Sequence, residues 1–350
     1  MKSWPGVIAA FRPWIDLPEE APAITLLEGN TPLIPVPSLA EAIGAEKLFV
    51  KYEGLNPTGS FKDRGMTVAI SQAVNEKAEA VICASTGNTA ASAAAYATRA
   101  GIRAFVLIPE GKVAGGKLAG AIAYGARVLQ IQGSFDAALE LVQQVANKGK
   151  FALVNSINPY RLEGQKTAAF EIADALNDPP DWLALPVGNA GNITAYWMGF
   201  QALRQSRNYP APRILGVQAA GAAPLVHGRP VEQPETVATA IRIGKPARGD
   251  QALAAAEESS GRIMAVSDDQ LLAAQRLLAA EGIWVEPASA AGVAGLISAS
   301  QADQNPFQNA CVVAVCTGHG LKDPDVIAST FQAPERIKAD ADSLLEALDQ

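Results

Sequence analysis

The sequence predicts an open α/β protein made of two domains, each a parallel sheet covered by helices on both faces. Strand-like apolar runs and helix-like segments alternate from Lys47 to Val315, the pattern of consecutive βα units. A chain of 350 residues can bury a large core and divides into about two domains. Its 49% hydrophobic content is low in aromatics and rich in alanine and glycine, which suits helices packed closely on sheets.

The first predicted strands are residues 48–52, 80–84, 104–108 and 127–131. Later ones are 151–154, 183–187, 214–218, 263–266 and 312–316. Between them fall helices such as the alanine-rich 90–100, the stretch 135–147 and the amphipathic 193–203. Residues 219–250, rich in proline, glycine and alanine, lack clear periodicity and are expected to fold over the larger domain. A helix-like tail covers 343–348.

Four polar segments interrupt this frame. Gly59-Ser60-Phe61-Lys62-Asp63-Arg64-Gly65 places one lysine where a loop meets a helix. The helix N-terminus, the neighbouring Arg64 and any cofactor cation would lower its proton affinity, so that Lys62 could hold a carbonyl cofactor as a Schiff base. Taken alone, Lys62 and Arg64 read better as solvated charges opening an exposed helix. Ser85-Thr86-Gly87-Asn88-Thr89 follows a strand and opens a helix, an arrangement suited either to a bound carboxylate or phosphate or to simple helix capping. Gly188-Asn189-Ala190-Gly191-Asn192 again joins strand to helix. Its glycines permit close backbone approach to a phosphate, but its spacing fits neither a Walker A loop nor a dinucleotide fingerprint. Cys316-Thr317-Gly318-His319-Gly320 ends a strand with a hydroxyl and glycines, placed for a ring nitrogen or for a turn.

Other classes are disfavoured. A net charge of −7 gives no basic footprint for nucleic acid. Two histidines and three cysteines, Cys83, Cys311 and Cys316, form no spaced ligand set, so no metal is expected and the thiols read as buried and reduced. There is no Gly-x-Ser-x-Gly elbow of a serine hydrolase. Neither a signal peptide nor a membrane span is expected.

In order and spacing, the four segments resemble the fold-type II pyridoxal phosphate enzymes, a tryptophan synthase β-like fold, and most closely the threonine synthase family. The likeness spans nearly the whole chain. Relatives that are dehydratases usually carry a phosphate loop of the SGGGL kind, and cysteine synthases one of the GTGGT kind. Gly188 to Asn192 is instead similar to threonine synthases, as are Lys62-Asp63-Arg64-Gly65 and the opening Glu28-Gly29-Asn30-Thr31-Pro32-Leu33.

The resemblance implies pyridoxal 5'-phosphate as cofactor, held as a Schiff base on Lys62, which would also shuttle protons. Asn88 would meet the cofactor's phenolic oxygen, the amides of Gly188, Asn189, Ala190, Gly191 and Asn192 its phosphate, and Thr317 its pyridine nitrogen. A neutral hydroxyl there would make the ring a tempered electron sink. Ser85, Thr86 and Thr89, beside Asn88, would take the substrate carboxylate. Arg161 would clamp the substrate phosphate, with Asn155, Ser156 and Asn189 beside it. The implied reaction is conversion of O-phosphohomoserine and water to threonine and phosphate, with a related dehydratase or a non-catalytic relative as alternatives. A smaller domain, residues 54–152, would be inserted in a larger one formed by 1–53 and 153–350, with the site in the cleft between them. A cytoplasmic homodimer would follow from the family. The resemblance also implies that the stretch Glu286-Pro287-Ala288-Ser289-Ala290-Ala291-Gly292 lies near the cofactor, although as a pre-helix turn Glu286 and Ser289 read more plainly as a helix cap.

Overall fold

The computed structural model describes residues 3–85, 87–110, 115–133, 135–146, 148–324 and 336–348. Among them the strands are β1 Leu33–Pro35, β2 Lys47–Tyr52, β3 Ala80–Ala84, β4 Arg103–Pro109, β5 Arg127–Ile131, β6 Phe151–Leu153, β7 Trp182–Pro186, β8 Arg213–Ala219, β9 Arg262–Val266 and β10 Cys311–Cys316. The helices are α1 Val7–Phe11, α2 Pro37–Ile43, α3 Lys62–Asn75, α4 Asn88–Arg99, α5 Gly115–Ala123, α6 Phe135–Ala146 and α7 Pro159–Gln165. They continue as α8 Thr167–Leu176, α9 Gly191–Arg207, α10 Pro224–His227, α11 Gly249–Glu258, α12 Asp268–Ala280, α13 Ala291–Ser300 and α14 Ala341–Leu348.

Two sheets result. The larger has the order β1-β2-β10-β7-β8-β9 and the smaller β5-β4-β3-β6. All pairings are parallel except β1 with β2. The central strands β3, β7 and β10 are apolar because both faces are covered. Trp182 and Ala184 of β7 join one core cluster and Leu183 and Leu185 the other. In β10, Val312, Ala314 and Cys316 face the first cluster and Val313 and Val315 the second. The same division in β3 sends Val81 and Cys83 to one side and Ile82 and Ala84 to the other. Fully burying each such Val, Leu or Ile contributes roughly 1.5–3 kcal/mol.

The predicted strands are all present, most with a residue or so added or lost at an end. The edge strand β1 was not expected. Three residues ending in proline carry no periodic signal and suit only a sheet edge. Residues 219–250 form short turns and α10, and place Ala238 and Ile241 in the core cluster of the large sheet.

Helix α3 ties the two sheets together. It leaves the end of β2 yet packs Met66, Ala69, Ile70 and Ala73 into the core of the small sheet. Its partner is α7, and the two backbones nearly touch. A Cβ on Gly65 would lie 2.6 Å from the carbonyl oxygen of Arg161, and one on Gly164 only 1.8 Å from that of Arg64. Glycine at both positions therefore sets how closely the helix bearing Lys62 approaches the helix bearing Arg161.

Candidate active site

Strands β2, β10 and β7 are parallel neighbours, so their C-terminal ends lie on one edge. From that edge come the loop to Lys62, the Thr317 turn and the 188–192 loop. The small sheet adds the ends of its neighbours β3 and β6, which lead to Asn88 and Arg161. Strand ends and helix N-termini converge as they do at the ligand crevice of open α/β sheets.

The Thr317-Gly318-His319 segment is pinned from both sides. The Phe61 amide donates to the Thr317 carbonyl at 2.9 Å and the His319 amide to the Gly59 carbonyl at 2.9 Å. On the other side the Glu286 amide donates to the Gly318 carbonyl at 3.2 Å, and the Gly318 amide donates to Ser289 Oγ at 2.7 Å. Ser289 Oγ also lies 2.9 Å from Thr317 Oγ1. The buried Thr317 hydroxyl is thus held by a second hydroxyl, with no carboxylate among its hydrogen-bond partners in the described residues.

Lys62 is the first residue of α3. Its Nζ stands 3.8 Å from the centroid of the Phe61 ring, and its pKa falls to about 7, through burial first and then the Arg161 guanidinium, with Glu286 opposing. A pKa of about 7 leaves much of the amine neutral near pH 7, as a nucleophile or base requires. Arg64 does not have the role expected of it. Its guanidinium turns into the core, donating to Glu53 at 2.6 and 2.8 Å and to Glu171 at 2.6 Å on two nitrogens, so Arg161 is the cation that acts on Lys62. The intervening Asp63 accepts from Thr58 N, Thr58 Oγ1 and Ser92 Oγ, each at 2.6 Å. Those bonds lock the Lys62 loop to α4, and hence to the loop carrying Asn88.

The 188–192 loop is built to receive an anion. Ala190 adopts the left-handed conformation, φ 65°, and offers no side-chain cap to the 17-residue α9. Among the described residues, the amides of Asn189, Ala190, Gly191 and Asn192 have no hydrogen-bond acceptor, and Asn192 Nδ2 is buried without a partner. Five donors and the positive end of a helix dipole fit a phosphate group. Gly188 fits against the backbone of Ile241, whose Cα would lie 3.1 Å from an added Cβ.

Around the lysine, Asn88 donates through Nδ2 to Glu286 Oε1 and Oε2 at 3.0 and 3.2 Å. Ser85 and Thr89 flank it, partly exposed, with Ser85 Oγ accepting from the Gly87 amide at 3.3 Å. Thr86 lies outside the described residues. Arg161 is 2% exposed and, among the described residues, its guanidinium donates only to the Val154 carbonyl at 3.2 Å and keeps a buried Nε without a partner. The Asn155 side chain is occupied at both ends, accepting from the Ala84 amide at 3.0 Å and donating to the Ala84 carbonyl at 2.8 Å. It staples the two strand ends together. Ser156 meets Arg248, a residue not singled out in the sequence, whose Nε donates to the Ser156 carbonyl at 3.2 Å. Asn189 Oδ1 accepts from the Ala247 amide at 3.4 Å, so the turn before α11 touches both the cradle and the Ser156 loop.

A family model described as pyridoxal-phosphate dependent enzyme matches residues 24–318. A threonine synthase of Synechocystis sp. is 57% identical over 99% of this chain and 91% of its own length. The chain belongs to the threonine synthase family. Its cofactor is pyridoxal phosphate. A threonine synthase of a Bacillus species is 53% identical over 93% of both chains. Among solved structures, maize serine racemase superposes with a TM-score of 0.76 at 21% identity, covering 98% of this chain and 96% of that one. That likeness shows a shared fold-type II architecture.

The donor set suits this cofactor, with an amine at Lys62, an amide cradle at 189–192 for a phosphate and a hydroxyl pair at Thr317 for a ring nitrogen. Glu286, 4% exposed, stands at the centre beside Asn88 and Gly318. The family resemblance implied that this stretch lies near the cofactor, but the residues alone read as a cap, because a turn of the form Glu-Pro-Ala-Ser does not show its distant partner Asn88. No side-chain cap bond is made there.

Proposed function

We propose that this member of the threonine synthase family acts on O-phospho-L-homoserine and water to give L-threonine and phosphate, the last step of threonine biosynthesis, through the residues just described. The observation that carries the assignment of residues is the presence of two separate anion-receiving places around one lysine of low proton affinity. One is the amide cradle of residues 189–192, and the other is buried Arg161, which keeps an unpartnered Nε. A dehydratase acting on L-threonine needs only the first.

When bound, pyridoxal phosphate supplies an electron sink for the bonding pair at the substrate's Cα. Lys62 would hold the cofactor and, with its amine free, would serve as the base. It takes the proton from Cα and then assists removal of one from Cβ while the Cγ–O bond breaks. Arg161 receives the charge of the departing phosphate through charge-assisted hydrogen bonds, with Ser156 and Asn189 beside it. Ser85 and Thr89, with Asn88, hold the substrate carboxylate at the N-terminus of α4, and the same role is proposed for Thr86 from the sequence alone. In balance, one proton moves from Cβ to Cγ, the hydroxyl of water adds at Cβ, and the remaining proton of water leaves with phosphate. Thr317, a neutral hydroxyl, would face the ring nitrogen and temper the electron sink. Asn155 supports this arrangement by holding the ends of β3 and β6 together.

The division into residues 1–53 with 153–350 and an inserted 54–152 belongs to the same proposal, supported by the two separate sheets. So does a cytoplasmic homodimer with the cofactor as a Schiff base. Supporting that location, Cys83, Cys311 and Cys316 are free thiols, and no described helix is long and apolar enough to cross a membrane. The test is to supply holoenzyme with O-phosphohomoserine or L-threonine and follow threonine, phosphate and 2-oxo acid together. Equal threonine and phosphate from the first, lost in Lys62→Ala, is the expected result; a 2-oxo acid with ammonia from L-threonine as the main activity would move the assignment to a dehydratase.

A further inference from the structure

Asn88 and Glu286 lie 198 residues apart in sequence and meet through one amide nitrogen, which donates to both carboxylate oxygens. A carboxylate only accepts hydrogen bonds, so it selects one of the two flips of the Asn88 amide, with Nδ2 toward Glu286. The carboxylate is itself immobilised. The Glu286 amide and carbonyl are engaged by Gly318 and Ser289 at 3.2 and 2.9 Å, and a Cβ on Gly318 would come within 2.4 Å of Oε1. No other group among the described residues uses the second hydrogen of Asn88 Nδ2.

We infer that Glu286 is a positioning residue that fixes the Asn88 amide with an N–H, rather than its carbonyl oxygen, presented to the phenolic oxygen of the cofactor. This rests on the proposed role of Asn88. An unfixed asparagine at this position would offer its oxygen in one of its two flips, repelling a phenolate that is itself only an acceptor. Geometry marks the Glu286 carboxyl as an acceptor, since both of its oxygens receive Asn88 Nδ2. Its pKa is raised overall, by burial first, with the Asn88 hydrogen bond, Lys62 and Lys322 holding that rise back and Asp323 adding to it. Arg161 reaches the same group of charges through Lys62.

The experiment compares holoenzymes carrying Glu286→Gln, Glu286→Asp, Asn88→Ala and the Gln/Ala double substitution. Two readouts besides activity are followed, the visible absorption band of bound pyridoxal phosphate and its dissociation constant. Glutamine is isosteric but can pair with either flip. Glu286→Gln should therefore broaden the band, move it in the direction seen for Asn88→Ala, and weaken cofactor retention by up to about 10-fold, the size of one hydrogen bond. The double variant should resemble Asn88→Ala alone, and Glu286→Asp should recover part of the shift. An unchanged band in Glu286→Gln beside a shifted one in Asn88→Ala overturns the inference and leaves the Asn88 role standing. Additive effects in the double variant also overturn it. An unshifted Asn88→Ala removes the role of Asn88 and the inference with it. Should Glu286→Gln not fold, Glu286→Asp decides, because shortening by one methylene withdraws the carboxylate; a band identical to that of the natural protein then counts against the inference.

Discussion

At the scale of single residues, Lys62 is controlled by what shields it and what charges face it. Burial and Arg161 lower its pKa to about 7 while Glu286 raises it. A lysine with lowered pKa is protonated below that value and free above it. Capture of pyridoxal phosphate by apoprotein should therefore accelerate as pH rises through about 7 and then level off. Stopped-flow reconstitution across pH checks this; a midpoint near that of an ordinary lysine would contradict it. Replacing Arg161 by leucine removes the charged partner of the substrate phosphate and should lower kcat/KM roughly 10- to 100-fold, mainly through KM. The same residue pair marks the limit of sequence reading. Lys62 was legible because a lysine at a loop-helix junction has a chemical purpose. The cation that tunes it was misplaced, because Arg64 lies two residues away in sequence but its guanidinium reaches Glu53 and Glu171 in the core.

At the scale of elements, the strands were legible because two-sided burial requires unbroken apolar runs, as in Ala80–Ala84 and Cys311–Cys316. The contacts between helices were not. Gly164 reads as an unremarkable residue in a short helix, yet it allows α7 to lie against the backbone of α3. Gly164→Ala would place a methyl 1.8 Å from the Arg64 carbonyl oxygen, and only a shift of α7 can relieve the clash. The cost should be about 1–3 kcal/mol or more in urea unfolding, with kcat/KM falling further than stability explains because Arg161 moves with α7. A variant as stable and active as the natural protein would show that the helix contact is not what positions Arg161. Asn155 teaches the converse. A short polar residue after a strand reads as a ligand, while here both ends of its amide hold the Ala84 backbone.

At the scale of the whole molecule, Lys51, Glu53, Arg64 and Glu171 form a buried cluster that joins β2, the start of α3 and α8. Burial alone would raise the pKa of Glu171, but Arg64 and Lys51 hold it down to about 2. A carboxyl with depressed folded pKa stabilises the protein fully above its unfolded value of about 4.3 and loses that contribution as pH falls toward the folded value. Stability should therefore decline from about pH 5 downward, and less steeply in a Glu171→Gln variant. Arg64→Leu would leave two buried carboxylates facing one lysine and should cost about 3–5 kcal/mol of unfolding free energy. The cluster also fixes the start of α3, and so the lysine around which the two anion-receiving places are arranged. Those places support an elimination that breaks the Cγ–O bond and a hydration that forms a new C–O bond at Cβ. Running the reaction of O-phosphohomoserine in ¹⁸O-water tests this most directly. One labelled oxygen in the threonine hydroxyl and none in newly released phosphate is the predicted result, whereas label in phosphate would mean attack at phosphorus and would contradict it.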